Sequence, residues 1–184
     1  MWIKPTSNAS PRNIFHIGRG ATSGIDGVCQ LWIHQGNRID FSINTGSTYG
    51  RANISAINYD AWNHLLIAVD LDSTDEFRCY VNGVDATTGD NLGTRTQFPS
   101  ATESLLIGEM GTGLYDPFLG SIDEFAIWSG QDLRNDVSTI YNNGKPADLT
   151  SLNPTSWFPS HDHRSLYNHL HHQKQESIYL PCLY

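Results

Sequence analysis

Residues 118–128 read Phe-Leu-Gly-Ser-Ile-Asp-Glu-Phe-Ala-Ile-Trp. The run from Leu119 to Trp128 is apolar enough for a buried strand, yet it carries two adjacent acids, Asp123 and Glu124. Alternate residues of a strand point to opposite faces. Asp123 is therefore expected to share a face with Ser121, Phe125 and Ile127, and Glu124 with Ile122, Ala126 and Trp128. Hydrolysis of a glycosidic bond takes two carboxylates roughly 5 to 9 Å apart, so on one strand it calls for acids at i and i+2 or i+4. Neither acid has such a partner. The strand reads as structural, with Phe125 and Ile127 entering a core between two sheets. Asp123 is expected to accept hydrogen bonds from a neighbouring loop or to help hold a cation, and Glu124 to be a solvated acid on the outer face. No G-x-S-x-G elbow or other nucleophilic constellation occurs elsewhere, so the chain is read as a non-enzyme.

The rest of the chain repeats this strand character. Short β-type runs separated by turn residues cover 13–18, 28–34, 38–43, 62–70, 76–81 and 104–109, the pattern of an all-β sandwich or barrel. Gln35-Gly36-Asn37 is the expected turn between the second and third runs. Asn82-Gly83 supplies two residues that tolerate the positive φ of a type I′ turn, with Val84 opening the return strand. Trp62 and Phe118 are expected in the core, and Leu65, Ile67 and Val69 share one face. From Asp132 to Asn143 the period changes, and Leu133, Val137, Ile140 and Tyr141 fall on one helical face. Asp132 is the expected cap, and Gly144 with Pro146 the expected stop.

The chain has 184 residues, 19 acidic against 11 basic, and a net charge of −8. That length fits one domain. The charge leaves no basic stripe for phosphates, which argues against nucleic acid and anionic membranes as partners. No window reaches the roughly 20 apolar residues of a membrane helix, so no membrane insertion is expected. Cys29, Cys79 and Cys182 lack C-x-x-C spacing, and Cys29 and Cys79 are read as small buried apolar residues.

The segments WIKPTS, WNHLLIAVD, FRCYVNGV, LLIGE and FLGSIDEFAIW, followed by a short helix ending IYNNGKPADL, occur in an order that resembles a laminin-G-like domain. Such domains belong to the concanavalin A-like jelly-roll superfamily and are related to the pentraxins. The resemblance covers roughly residues 1–152. It implies an antiparallel two-sheet jelly-roll sandwich, with the helix near the C-terminus, working as a carbohydrate-binding or adhesion module, often with calcium.

Two departures from the family pattern stand out. Members usually place one or two strands before the segment that starts here at Trp2, and they commonly close with a Trp-rich strand, whereas Trp157-Phe158 is followed here by PSHDHRSLYNHLHHQ. The jelly roll is therefore assigned to residues 1–158, incomplete at its N-terminus and with unpaired edges. Residues 159–184 are assigned to an irregular, His-rich tail.

Calcium takes six to eight oxygen ligands, commonly from acidic loops. The candidates are Glu109, Asp116 and Asp123, with the turn of Asp70, Asp72, Asp75 and Glu76 as a second possibility. Sugar recognition combines an aromatic platform with loop amides and charged groups. Tyr49, Arg51, Tyr115 and Asp116 are the candidates in or near Gly-rich loops, and Trp32, facing away from Leu31 and Ile33, is a candidate on the sheet itself. The expected function is a glycan- or glycoprotein-binding module within a larger extracellular or virion-surface protein, flanked by other domains of its parent. The alternatives are a structural decoration domain without a ligand and, third, a lectin-like glycoside hydrolase.

Overall fold

The computed structural model describes residues 1–6, 12–17, 29–34, 38–43, 50–53, 57–89, 105–108 and 116–159. In chain order its strands are β1 (Trp2–Pro5), β2 (Arg12–Ile17), β3 (Cys29–His34), β4 (Arg38–Ile43), β5 (Gly50–Asn53), β6 (Asn63–Val69) and β7 (Phe77–Val81). These are followed by β8 (Val84–Asp85), β9 (Thr87–Gly89), β10 (Leu105–Ile107), β11 (Asp116–Pro117), β12 (Gly120–Asp123), β13 (Phe125–Ile127) and β14 (Ser156–Phe158). A smaller sheet runs β12-β1-β6-β7-β8, and a larger one runs β10-β2-β3-β4-β5-β9 with β11 joined to β2. Apart from the parallel β11–β2 contact, every pairing among the described residues is antiparallel. The architecture is the expected two-sheet sandwich.

Alternation builds the core. Leu31, Ile33, Ile39 and Phe41 from the larger sheet meet Ile3, Leu65, Phe77, Cys79, Val81 and Ile122 from the smaller one. Phe41 stacks on Phe77 across the gap, with ring centroids 5.7 Å apart. Burial pushes the Cys79 thiol far up from its ordinary value, so it behaves as an apolar residue, as expected, while Cys29 is only half-buried. The Asn82-Gly83 turn has φ of 52° and 80°, and Val81 pairs with Val84 as the type I′ reading requires. The pairing of His34 with Arg38 closes the hairpin predicted at Gln35-Gly36-Asn37, although those three residues lie outside the described ones.

The smaller sheet is covered on its other face as well. Leu66, one step from Leu65, joins Leu133, Val137, Ile140 and Leu149 in a second apolar cluster, with Trp128 and Trp157 packed against it. The helix α1 in this layer spans only Val137–Tyr141, shorter than the periodicity predicts. Asp132 does not cap it. Its Oδ1 accepts from the backbone N–H of Arg134 in a local turn, and the cap position is Asp136, which makes no side-chain cap bond. The helix ends at Asn142 in the left-handed region, before Gly144 is reached.

The largest departure from the sequence-based expectation lies in residues 119–128. They form two strands, because Glu124 has φ of 48° and breaks the ladder between β12 and β13. The break resets the alternation, so Ile122 and Phe125 are both buried, and Glu124 is buried rather than solvated. Phe125 does enter the interior, against Phe15 and Phe158. Trp62, expected in the core, is 44% exposed, because it precedes β6 in the turn that brings the chain into the sheet. Phe118 is buried as expected. At the two ends, β1 is paired on both sides, by β12 and β6, and Trp157-Phe158 form a strand, β14, which pairs with β13. The tail from residue 160 lies outside the described residues.

A Cβ at Gly120 would collide with the Lys4 carbonyl oxygen of the adjacent strand, at φ of 142°, whereas one at Gly130, φ 71°, meets nothing within 4 Å. Gly120→Ala is expected to destabilise by about 3 kcal/mol and Gly130→Ala by about 1 kcal/mol in urea unfolding. Equal effects would contradict this register of β1 on β12. Burial holds the His64 imidazole down to about 3 from its ordinary 6.5. Between those values the unfolded chain binds the proton that the folded chain refuses, so stability is fully present above the upper value and is lost as pH falls. Near pH 5 the loss amounts to about 2 kcal/mol. Denaturation of wild type and His64→Phe at neutral pH and near pH 5 should show it as a smaller pH dependence in the variant.

Candidate functional site

Asp123 and Glu124 are both engaged within the fold. Asp123 Oδ1 accepts the backbone N–H of Glu124 at 2.8 Å. Glu124 Oε2 accepts the indole N–H of Trp157 at 2.9 Å, which ties β13 to the closing strand. Trp128 makes the analogous bond to the Leu152 carbonyl at 2.9 Å. These contacts are structural: the carboxylates anchor backbone and indole groups.

The calcium candidates fare differently from one another. Asp116 lies in β11 of the larger sheet, in register with Arg12, Asp123 lies in β12 of the smaller sheet, and Glu109 lies outside the described residues. The second acidic candidate is occupied by cations. Arg134 reaches Asp70 at 3.5 Å, Asp75 at 3.3 Å and Asp132 at 2.8 Å, and Arg78 reaches Asp75 at 3.0 Å. The hydrogen bonds from Arg134 hold the Asp132 carboxyl below its ordinary value. Among the described residues no group of three or more His, Cys, Asp or Glu side chains is arranged for a metal.

The sugar-binding candidates converge better. Antiparallel register places Asn13 opposite Trp32, Trp32 opposite Asp40, and Asp40 opposite Arg51. One cross-strand row thus contains, by position, two of the residues that the sequence suggested, Trp32 and Arg51, which are distant in the chain. Because Leu31, Ile33, Ile39 and Phe41 point into the core, Trp32 and Asp40 must face away from it. Trp32 is half-buried. Asp40 is 1% exposed, and Arg38 Nε donates to both its oxygens, at 2.9 and 2.8 Å, which fixes its orientation. Asn13 is 2% exposed, and its Oδ1 has no hydrogen-bond donor. The neighbouring pair, His16 and Gln30, continues this polar face.

Tyr49 and Tyr115 lie outside the described residues. Asn13, Asp40, Arg38 and His16 are residues that sequence reasoning alone misses. The signal for Asp40 is present, since RIDFSI alternates charged or polar residues with Ile39, Phe41 and Ile43 as strictly as CQLWIH does. Asn13 is hidden by a bulge between it and Phe15, where the register shifts and the parity of β2 changes.

No curated protein matches the chain. Among solved structures it is similar to the CBM40 of the Ruminococcus gnavus IT-sialidase bound to α2,3-sialyllactose, with a TM-score of 0.51, 17% identity, and coverage of 66% of this chain and 68% of that one. A second structure of the Ruminococcus gnavus IT-sialidase CBM40 gives a TM-score of 0.51, 17% identity and coverage of 66% and 69%. Bound to α2,6-sialyllactose it gives 0.50, 16%, and again 66% and 69%. These likenesses concern the fold, a β-sandwich of the kind found in a carbohydrate-binding module. A family profile matches residues 1–138. By that match and by its two-sheet sandwich, the chain belongs to the laminin-G-like group of the concanavalin A-like lectin/glucanase superfamily.

Proposed function

We propose that this chain is a non-catalytic carbohydrate-binding module, part of a larger extracellular or virion-surface protein, and that it holds a glycan on the far face of its larger sheet. The observation that carries the reading is the row Asn13–Trp32–Asp40–Arg51. It puts a half-buried indole between a buried amide and a buried, orientation-locked carboxylate. An indole packs against the apolar face of a pyranose, while the amide and carboxylate on either side of it, 2% and 1% exposed, set its surroundings. The orphan Oδ1 of Asn13 fits the same purpose, because a buried acceptor left without a donor costs about 1 to 3 kcal/mol. A water bridging to a sugar hydroxyl would supply that donor.

The choice of face follows from what covers the other one. The smaller sheet turns its far face to the second apolar cluster, whereas the larger sheet carries polar side chains on its far face. The non-catalytic part of the reading rests on Asp123 and Glu124, whose described bonds are internal. Sialyllactoses are sensible first probes, since the structurally similar CBM40 binds them.

A glycan array spanning sialylated, uronic-acid and neutral oligosaccharides, read by calorimetry on the hits, tests the proposal. Trp32→Ala is expected to weaken binding at least about tenfold with little change in melting temperature, and no probe should be hydrolysed. Binding that survives Trp32→Ala undiminished would place the ligand elsewhere. A blank array would favour the ligand-free decoration domain.

A further inference from the structure

We infer that the far face of the larger sheet selects an anionic sugar, one bearing a carboxylate or a sulfate, and that Arg38 takes the charged group while Trp32 takes the ring. The inference rests on the reading of that face given above and names its ligand class. Arg38 and Asp40 stand on β4 on either side of the core residue Ile39, so both lie on the face of Trp32. Trp32 is directly opposite Asp40, which puts Arg38 on its diagonal, roughly 7 to 8 Å away along the backbone and within reach of a long side chain. The Arg38 side chain leans toward that row, since its Nε lies 2.9 and 2.8 Å from the two Asp40 oxygens.

Exposure decides which charge a ligand meets. Asp40 and Asn13 are 1% and 2% exposed, whereas the Arg38 side chain is 40% exposed. A ring seated on the indole therefore meets the guanidinium rather than the buried carboxylate. Both described hydrogen bonds of Arg38 come from Nε, which leaves its two terminal nitrogens as a planar pair of donors. Carboxylate oxygens match that pair two to two, and a sulfate can do the same. Asp40 holds the guanidinium in one orientation before any ligand arrives, so little side-chain entropy is lost on binding.

The charge balance points the same way. Around the smaller sheet carboxylates outnumber arginines, since Arg78 meets Asp75 and Asp85, and Arg134 meets Asp70, Asp75 and Asp132. On the larger sheet the order is reversed, because Asp40 has Arg38 bound to it and Arg51 opposite it by register. One carboxylate against two arginine positions leaves a local surplus of positive charge on a chain of net charge −8, and such a surplus draws anions. A neutral sugar would leave the terminal nitrogens of Arg38 to water.

The test compares charged probes with their neutral counterparts on the whole chain: trigalacturonic acid with its trimethyl ester for the carboxylate, and lactose 3′-sulfate with lactose for the sulfate. Calorimetry should show at least one charged probe binding at least about tenfold more tightly than its counterpart, and Trp32→Ala should weaken both members of that pair. Arg38→Gln should bring the ratio of charged to neutral affinity to about one. Because that change leaves Asp40 buried without its cation, the double variant Arg38→Gln/Asp40→Asn is measured beside it and should lose the ratio in the same way. A merely structural role for the pair would lower both affinities together and keep the ratio, which would overturn the inference. Equal affinity for charged and neutral probes, both sensitive to Trp32→Ala, would overturn it and leave the larger-sheet reading standing. A charged preference indifferent to Trp32→Ala would overturn both. Absence of binding by both charged probes would overturn the inference, with the larger-sheet reading then decided by the array.

Discussion

The burial of Leu31, Ile33, Ile39 and Phe41, all within 3% of complete, dictates where the polar side chains between them can go. Each buried side chain of this kind contributes about 1.5 to 3 kcal/mol, so slipping either strand by one residue would exchange apolar side chains for Gln30, Trp32, Asp40 and their neighbours. That penalty locks the register of β3 on β4, and the register in turn aligns Asn13, Trp32 and Asp40 across three strands. The same packing energy that closes the sandwich therefore assembles the proposed site. Arg38 then fixes the carboxylate, which would otherwise be a costly buried charge.

The smaller sheet faces a different constraint, since it is apolar on both sides. Leu65 serves the inter-sheet core and Leu66 the second cluster, so this sheet needs a third layer, and α1 with the closing segment provides it. The layer is pinned at one end by Arg134 against the carboxylates of the β6–β7 turn and at the other by Trp157 on Glu124. The left-handed backbone at Glu124 is what lets β13 leave the smaller sheet and pair with β14.

Much of this architecture is legible in the residue pattern, for local reasons. Asn82-Gly83 names its own turn, and strict alternation over residues 29–34 and 38–43 reveals two strands and their inner faces. The four-residue strands β1 and β5 are too short to show a period. The turn at Glu124 escapes a sequence reading because nothing in a glutamate signals a positive φ, which is usually left to Gly or Asn; parity carried through it lacks the reset. Trp62 escapes it because an aromatic beside a strand looks like the strand's first residue. The site is half legible: Trp32 follows from alternation, but its alignment with Arg51 depends on pairings between distant segments, and a bulge conceals Asn13.

If the far face of the larger sheet holds the glycan through the row centred on Trp32, amide chemical-shift mapping with the tightest-binding oligosaccharide from the array will show it. The largest perturbations are then expected on Asn13, Trp32 and Asp40 together with the Trp32 indole N–H, while Leu65, Leu66 and Val137 stay unmoved. Perturbations centred instead on the smaller sheet or its helix, with the Asn13–Trp32–Asp40 row silent, would contradict that placement.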